Sequence, residues 1–315
     1  MLKFLKLIRI ENIIMVVLTQ FLMSYAVITP ILIHNGMESA TSHFAAFLVI
    51  LATALITMGG YVINDYFDTR IDEINKPHKV LIGKAISRHK AMSLHQLLTI
   101  AGVLCGLYVA YQTRSLTIAL IFIMVPGLLW FYSSSYKRQF FIGNVIVAFV
   151  TAFVPIIIAF VEVAYLKPLY GEALERSGVI ADIYMWVGFF AIFAFALTLL
   201  REMVKDLQDE EGDRELECRT VPIVLGDKWA KVFISILTGL LLMGIFFLIV
   251  RQLTFAHTLV LKNFLLYAVC APLVFFIFML FRSKSSKDYA MTQQVLKLIM
   301  LIGVLFSLVF RSVAL

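Results

Sequence analysis

Long apolar stretches constrain this chain more than any other feature of its sequence. Nine of them are long enough to cross a membrane as helices, and 61% of all residues are hydrophobic while only 15% are charged. Backbone amides in lipid need internal partners, and these stretches show no alternating pattern, so helices are favoured over a β-barrel. The sequence therefore predicts an all-α polytopic membrane protein. Its nine transmembrane helices are expected at about 12–33, 43–63, 91–111, 116–132, 141–161, 183–204, 229–250, 263–281 and 294–313.

The distribution of Lys and Arg predicts the orientation of these spans. The N-terminal segment and the loops after spans 2, 4, 6 and 8 contain 21 of the 27 basic residues, and the opposite side contains 6. The positive-inside rule therefore places the N-terminus in the cytoplasm of a bacterial or archaeal cell. The net charge of +7 follows from this bias and from affinity for the anionic lipid bilayer, so we expect no nucleic-acid partner. No feature indicates an obligate protein partner.

Two aspartate clusters share the spacing D-x-x-D-x-x-x-D. The first lies in NDYFDTRID and the second in KDLQDEEGD, 141 residues later, each after a long apolar run. On a continuous helix the oxygen-bearing side chains of the first cluster fall within roughly 100° of one another and share one face. A solvated acidic helix end would explain one cluster, but it explains the repeat poorly. We call the clusters the first ladder (Asn64, Asp65, Asp68 and Asp72) and the second ladder (Asp206, Asp209 and Asp213).

The ladders indicate Mg²⁺ and a polyanion. The first extends about 12 Å along a helix, which is too long for one ion but suits a polyanion bound together with a second, facing ladder. Mg²⁺ usually keeps several waters and takes one or two carboxylates together with substrate phosphate oxygens. We therefore expect all seven ladder residues to be metal ligands, at the cytoplasmic ends of spans 2 and 6.

The repeat also predicts how the spans are arranged. One transmembrane domain covers 1–315, with two parallel four-helix halves at about 1–140 and 141–290 and an extra last helix at about 294–313, around a central cleft. Ordinary helix packing explains most glycines in the spans, which would permit close approach at Gly59, Gly60, Gly102, Gly106 and Gly127. The charged segment 163–182 is expected to be a surface loop, with or without a short interfacial helix.

Three segments resemble the signature sequences of the UbiA superfamily of intramembrane prenyltransferases. They are NDYFDTRIDEINKPHK, YSSSYKR and REMVKDLQDEEGDRELECRTVPIVLG. The second motif and its continuation are most similar to the digeranylgeranylglyceryl phosphate synthase branch of that superfamily. The resemblance implies a polyprenyl diphosphate donor, Mg²⁺ as cofactor, and a lipid or aromatic acceptor at the membrane.

The resemblance also implies roles for individual residues. Asp72, Lys137 and Lys205 are expected to be catalytic, with the two lysines acting on the diphosphate. For other lone cations such as Lys3, Lys6 and Lys84, the positive-inside bias is explanation enough. Substrate-binding residues are expected at Arg9, Asn12, Lys79, Tyr132, Tyr136, Lys137 and Arg201.

One segment departs from the family pattern. After the first ladder the family usually reads N-[RK]-P-x-R-P-[IL]-P-S-G, whereas this chain reads NKPHKVLIGK, with Lys79 in place of Arg and Val80 in place of Pro. Arg binds phosphate through two parallel hydrogen bonds and Lys acts as a point charge, so the departure bears on substrate choice.

The expected function is Mg²⁺-dependent transfer of a polyprenyl group to geranylgeranylglyceryl phosphate or a similar lipid. Prenylation of an aromatic acid in quinone formation is the alternative within the enzyme class. An intramembrane cation transporter is the alternative from another class, but its ionisable groups would be expected near the bilayer midplane, whereas these aspartates lie at span ends.

Overall fold

The computed structural model describes residues 2–77, 80–251 and 259–314, and within these ranges nine helices are long and apolar enough to cross a membrane. The all-α class and the nine predicted spans are confirmed, although several helices run past the predicted ends. We number these helices in chain order as α1 Ile10–His34, α2 His43–Asn75, α3 Arg88–Thr113, α4 Leu116–Ser134, α5 Ile142–Ser177, α6 Val179–Gln208, α7 Asp227–Val250, α8 Leu259–Arg282 and α9 Ser286–Val313.

Serine caps define where three of these helices begin. Ser42, Ser87 and Ser115 precede α2, α3 and α4, and each hydroxyl accepts a hydrogen bond from the backbone N–H three residues later. Such caps satisfy one of the backbone donors that a helix start leaves without a partner. Arg114, in the left-handed conformation, ends α3, so only two residues separate α3 from α4.

The chain divides into two compact units. The first comprises Met1–Tyr136 and Phe153–Gly188, and the second comprises Lys137–Ala152 and Phe189–Leu315. The first unit contains the first ladder and the second unit contains the second ladder. This division differs from the two sequence halves in α5 and α6, each of which contributes to both units.

Small residues let α2 and α3 pack closely within the first unit. A Cβ atom on Gly102 would lie 2.9 Å from the backbone oxygen of Ala52, and one on Gly59 would lie 2.5 Å from a side-chain oxygen of α3. The buried His95 donates from Nδ1 to the backbone oxygen of Gly59 over 2.9 Å. The predicted close approach is therefore confirmed at Gly59 and Gly102.

The other predicted glycines behave differently from one another. A Cβ atom on Gly106 would lie 2.2 Å from the ring of Phe122 in α4, and one on Gly60 would lie 3.0 Å from Leu129. Gly127 has open space around its Cβ position, so the prediction of close packing is wrong there. No packing contact explains a glycine at this position of α4.

The segment 163–182 is largely helical, so the prediction of a surface loop is wrong. Helix α5 extends to Ser177, and Gly171 with φ 48° and ψ −127° redirects the chain inside it, a conformation that a residue without Cβ adopts at little cost. The buried Glu162 accepts a hydrogen bond from the backbone N–H of Ala40 over 2.7 Å. This contact ties the connection between α1 and α2 to α5.

Candidate active site

The first ladder lies on one unbroken helix, as its spacing predicts. All four members are on α2, and Asn64 and Asp68 are buried. Nδ2 of Asn64 donates to Oδ2 of Asp68 over 2.8 Å. Oδ1 of Asn64 is also buried and has no hydrogen-bond partner among the described residues. Asp72 lies one turn further along α2 and is half-buried.

Two predicted substrate-binding residues contact the helix that carries the first ladder. Nη2 of Arg9 donates to Oδ1 of Asp65 over 2.8 Å, and its guanidinium lies 4.8 Å from the ring centre of Tyr61. Nδ2 of Asn12 donates to the hydroxyl of Tyr61 over 3.0 Å. Asp65 is therefore paired with a cation of the protein.

Apolar packing fixes the backbone that carries Arg9. Leu7 and Ile8 directly precede it and are buried against Val62, Ile82 and Ala91. Full burial of an aliphatic side chain of this size contributes about 1.5–3 kcal/mol. The N-terminal segment is thus held on α2, α3 and their connection, and this packing sets the position of the ion pair with Asp65.

The cations Lys79, Lys84 and Arg88 follow the first ladder in the chain, and Arg88 is the first residue of α3. Lys79 lies outside the described residues. Nζ of Lys84 donates to the backbone oxygen of Pro77 over 3.3 Å, and the guanidinium of Arg88 lies 4.2 Å from the ring centre of Tyr66. Both described cations therefore have contacts within the protein.

The second ladder crosses the end of a helix. Helix α6 ends at Gln208, and Asp209, with φ −100° and ψ 12°, precedes the short helix Glu210–Glu215. The backbone N–H of Asp209 still donates to the oxygen of Lys205 over 2.9 Å, and that of Asp213 donates to Asp209 over 3.1 Å. The helical spacing is therefore kept across the interruption. Asp209 and Asp213 are both buried.

The first aspartate of the second ladder is held in a similar way to that of the first. Nδ2 of Asn144, near the start of α5, donates to Oδ2 of Asp206 over 2.8 Å. Asp206 occupies the place of Asp65 in the repeat, and Arg9 near the start of α1 holds Asp65. In each half, a side chain from the start of the half's first helix binds the first aspartate of the motif.

Asn144 was not among the predicted site residues, and its place in the repeat becomes visible only with the structure. Arg9 and Phe141 both have positive φ, at 50° and 60°, and each directly precedes a long helix. Asn12 and Asn144 follow three residues later and are separated by 132 positions, not by the 141 that separate the ladders. A search at one fixed period misses this second pair.

The cations beside the second ladder lie near an internal carboxylate. Nη2 of Arg201 donates to Oε1 of the buried Glu202 over 2.7 Å, and Nζ of Lys205 lies 3.8 Å from its Oε2. Both residues were predicted to act on the substrate. Glu202, which lies inside the predicted span 183–204, was not among the predicted site residues.

Backbone hydrogen bonds bring the predicted Lys137 to the second ladder. Lys137 lies in a single 3₁₀ turn between α4 and α5. The backbone oxygen of its neighbour Arg138 accepts from the N–H of Arg219 over 2.8 Å. The N–H of Cys218 donates to the backbone oxygen of Asp213 over 2.9 Å. The turn and the ladder are therefore joined through one short segment.

The predicted aromatic residues lie at the end of α4 and just beyond it. Tyr132 and Tyr136 are both partly buried, and the ring of Tyr136 lies 6.4 Å from that of Phe131. Both belong to the first unit.

Comparison with known proteins agrees with this geometry. The UbiA prenyltransferase family matches residues 21–306. The chain belongs to this family. Digeranylgeranylglyceryl phosphate synthase from Pyrococcus horikoshii is 32% identical over 189 residues, which cover 60% of each chain. The protein of the same name from Sulfolobus acidocaldarius is 30% identical over 223 residues, which cover 67% of this chain and 73% of that protein. The chain thus aligns with 60% of the length of the Pyrococcus protein.

Solved structures share the UbiA fold of this chain. A structure from work on "the biosynthesis of Digeranylgeranylglyceryl phosphate synthase in membranes" has a TM-score of 0.63 at 22% identity, covering 98% of this chain and 97% of that one. A UbiA homologue from Aeropyrum pernix has a TM-score of 0.63 at 13% identity, covering 91% and 96%. A UbiA homologue from Archaeoglobus fulgidus bound to DMAPP and Mg²⁺ has a TM-score of 0.57 at 14% identity, covering 98% and 99%.

The first ladder of this UbiA protein fits a hard cation. The buried Oδ1 of Asn64 lacks a hydrogen bond among the described residues, and carboxylates follow it on the same helix face. Within the described ranges, no three His, Cys, Asp or Glu side chains are gathered into a group that could hold a metal ion.

A residue of the last helix also supports the second ladder. Nε2 of Gln293 in α9 donates to Oε1 of Gln208 over 2.6 Å. Gln208 directly precedes Asp209 at the point where α6 ends. The sequence gives no signal for this contact, because the two glutamines are 85 positions apart.

Proposed function

We propose that this UbiA protein is a Mg²⁺-dependent prenyltransferase that moves a polyprenyl group from its diphosphate to a lipid glyceryl phosphate. The observation that carries the proposal is the repeated aspartate motif, whose members Asp68, Asp209 and Asp213 are buried at helix ends. Family membership and the names of the relatives support the donor and acceptor classes.

The proposed reaction exchanges one C–O bond for another. The bond between C1 of the prenyl chain and the diphosphate oxygen breaks, and the electron pair leaves with the diphosphate. The acceptor hydroxyl oxygen forms an ether bond to C1, and its proton passes to Asp72 or to the released diphosphate. Mg²⁺, when bound, neutralises the charge that grows on the departing oxygens. Lys137 and Lys205 supply further positive charge to the same anion.

The contacts divide the ladder residues into two groups. Asp65 and Asp206 are bound by Arg9 and Asn144, so we assign them to positioning the two helices. The remaining members supply the hard oxygen donors that Mg²⁺ prefers, and among the described residues Oδ1 of Asn64 has no hydrogen bond, so we assign them as metal ligands. The proposed ligands are Asn64, Asp68, Asp72, Asp209 and Asp213.

Aromatic side chains would stabilise the prenyl cation that forms when the diphosphate leaves. Departure of the diphosphate leaves positive charge on the prenyl chain, which is stabilised by aromatic faces in a site without water. Tyr132 and Tyr136 are the proposed residues for this role, because both follow the apolar part of α4 and are partly buried.

Prenylation of an aromatic acid is the second candidate, because the ladders act on the donor and would serve either acceptor. The lipid acceptor is favoured by the sequence RTVPIVLG after the second ladder and by the names of the relatives. Membership of the UbiA family leaves cation transport without support. We also propose that both ladders face the cytoplasm, because 21 of the 27 basic residues belong to the segments on that side.

Product identification tests this proposal. Purified protein is incubated with geranylgeranyl diphosphate, Mg²⁺ and either geranylgeranylglyceryl phosphate or 4-hydroxybenzoate, and the products are identified by mass spectrometry. We expect an ether-linked lipid from the first acceptor. If prenylated hydroxybenzoate is the only product, the protein belongs with the prenyltransferases of quinone formation. If neither acceptor gives a product, the proposed activity is contradicted.

A further inference from the structure

Two arginines meet at the segment that follows the second ladder. The backbone bond between Arg219 and Arg138 brings them together, with Lys137 beside Arg138 in the chain. The side chains of Arg138 and Arg219 are both exposed. The backbone bond between Cys218 and Asp213 places this pair next to the last aspartate of the second ladder.

These arginines differ from others that flank the ladders. Arg9, Arg201 and Arg214 each form an ion pair with a carboxylate of the protein. Among the described residues, the side chains of Arg138 and Arg219 have no ion pair, hydrogen bond or ring contact. The backbone of both arginines is thus joined to the segment that follows the second ladder, and their guanidinium donors are available to an external anion.

A buried hydroxyl lies next to the same pair. Thr220 follows Arg219 and is 3% exposed, and within the described ranges its Oγ1 has no hydrogen-bond partner. Buried hydroxyls are normally hydrogen-bonded, so the hydroxyl of Thr220 is available to a group outside the described residues. Guanidinium and hydroxyl donors are the groups that bind phosphate oxygens.

We propose that Arg138, Arg219 and Thr220 bind the phosphate group of the acceptor lipid, an inference that rests on the proposed function. A phosphate monoester bears more negative charge than the carboxylate of an aromatic acid, so paired arginines favour the lipid acceptor. Lys84 and Arg88 are less suited to this role, because their contacts are internal.

Acceptor kinetics test this assignment. Arg138→Gln and Arg219→Gln are assayed in neutral detergent with saturating geranylgeranyl diphosphate and Mg²⁺ and varied geranylgeranylglyceryl phosphate. Loss of a hydrogen bond to a charged group corresponds to about a tenfold change in binding, so we expect the KM for the acceptor to rise about tenfold in each variant. The KM for the donor should stay within about twofold, because the ladders and not these arginines bind it. Arg219→Lys, which keeps the charge but loses the planar fork, should lie between wild type and Arg219→Gln.

Arg282→Gln is the matched control. Arg282 is an exposed arginine of the second unit that lies on the ring of Phe278, 4.7 Å from its centre, and its loss should leave the KM for the acceptor unchanged. An unchanged KM for the acceptor in Arg138→Gln and Arg219→Gln would overturn the inference. So would a defect that appears only in vesicles containing phosphatidylglycerol, because the arginines would then bind bilayer headgroups.

Binding without turnover separates this inference from the proposed function. Affinity for geranylgeranylglyceryl phosphate is measured in the absence of donor for wild type and for both variants. Wild type that binds the lipid more tightly than the variants but forms no ether product would sink the proposed function and leave the site standing. If wild type forms the product while all proteins bind the lipid equally, the proposed function stands and the proposed phosphate site is wrong.

Discussion

Gln293→Leu tests how the second ladder is held in place. The substitution keeps a side chain of similar size and removes the 2.6 Å hydrogen bond to Gln208. A neutral hydrogen bond contributes about 0.5–1.5 kcal/mol to folding, so the thermal midpoint should fall by only a few degrees. Stability alone would therefore predict a nearly normal enzyme.

The expected effect on activity is much larger than the effect on stability. Gln208 is the last residue of α6, and the buried Asp209 follows it where the helix is interrupted. Without the bond to Gln293 the second ladder can shift, and a displacement of about 1 Å at a catalytic group costs up to about 100-fold in rate. We expect turnover to fall by about ten- to 100-fold. The Mg²⁺ concentration for half-maximal activity should rise, which a loss of stability alone would not cause.

Gln294→Leu is the matched control for this experiment. Gln294 is the exposed neighbour of Gln293 on α9. Gln294→Leu therefore removes the same side-chain amide at an exposed position. Turnover and Mg²⁺ dependence are measured for both variants alongside thermal unfolding in detergent. The reasoning is refuted if Gln293→Leu has a normal Mg²⁺ requirement, or if both variants lose activity equally.

Two further predictions concern orientation and packing. The distribution of Lys and Arg places the loop after α8 in the cytoplasm. In a background without cysteine, Ser285→Cys should therefore be labelled from the cytoplasm and Ser177→Cys from the other side. Labelling of position 177 from the cytoplasm would contradict the topology. Gly102→Ala should destabilise the first unit by about 1–3 kcal/mol because its Cβ would meet the backbone of α2, whereas Gly127→Ala, with open space, should be neutral or stabilising in thermal unfolding. Equal midpoints for these two variants would show that α2 and α3 tolerate separation.

The spans and the first ladder could be predicted because their signals are local. Hydropathy over about 20 residues identifies a transmembrane helix wherever it packs. The face shared by Asn64 and Asp68 follows from helix geometry once α2 is known to continue past the apolar run. The segment 163–182 was misread for the same reason, since charges within a few residues were taken as a loop while the helix continued to Ser177.

Contacts between distant positions could not be predicted from one sequence. The bonds from Asn144 to Asp206 and from Gln293 to Gln208 join residues 62 and 85 positions apart, and no local pattern marks either pair. The interruption at Asp209 is also not visible, because the spacing of the aspartates is the same on a continuous helix. The roles of the ladder residues as metal ligands stay predictions, supported by burial and by the available oxygen of Asn64.

The metal dependence of Asp68→Asn and Asp209→Asn tests the central claim most directly. Ether-lipid formation is measured for wild type and for both variants over a range of Mg²⁺ concentrations, with thermal unfolding to show that each protein is folded. We predict that EDTA stops the wild-type reaction and that Mg²⁺ restores it. Each variant should lose at least about 100-fold in turnover, because even partners of metal ligands cost ten- to 100-fold. Turnover without a divalent ion in the wild type, or wild-type turnover in either variant, would contradict the assignment of the two ladders as metal sites.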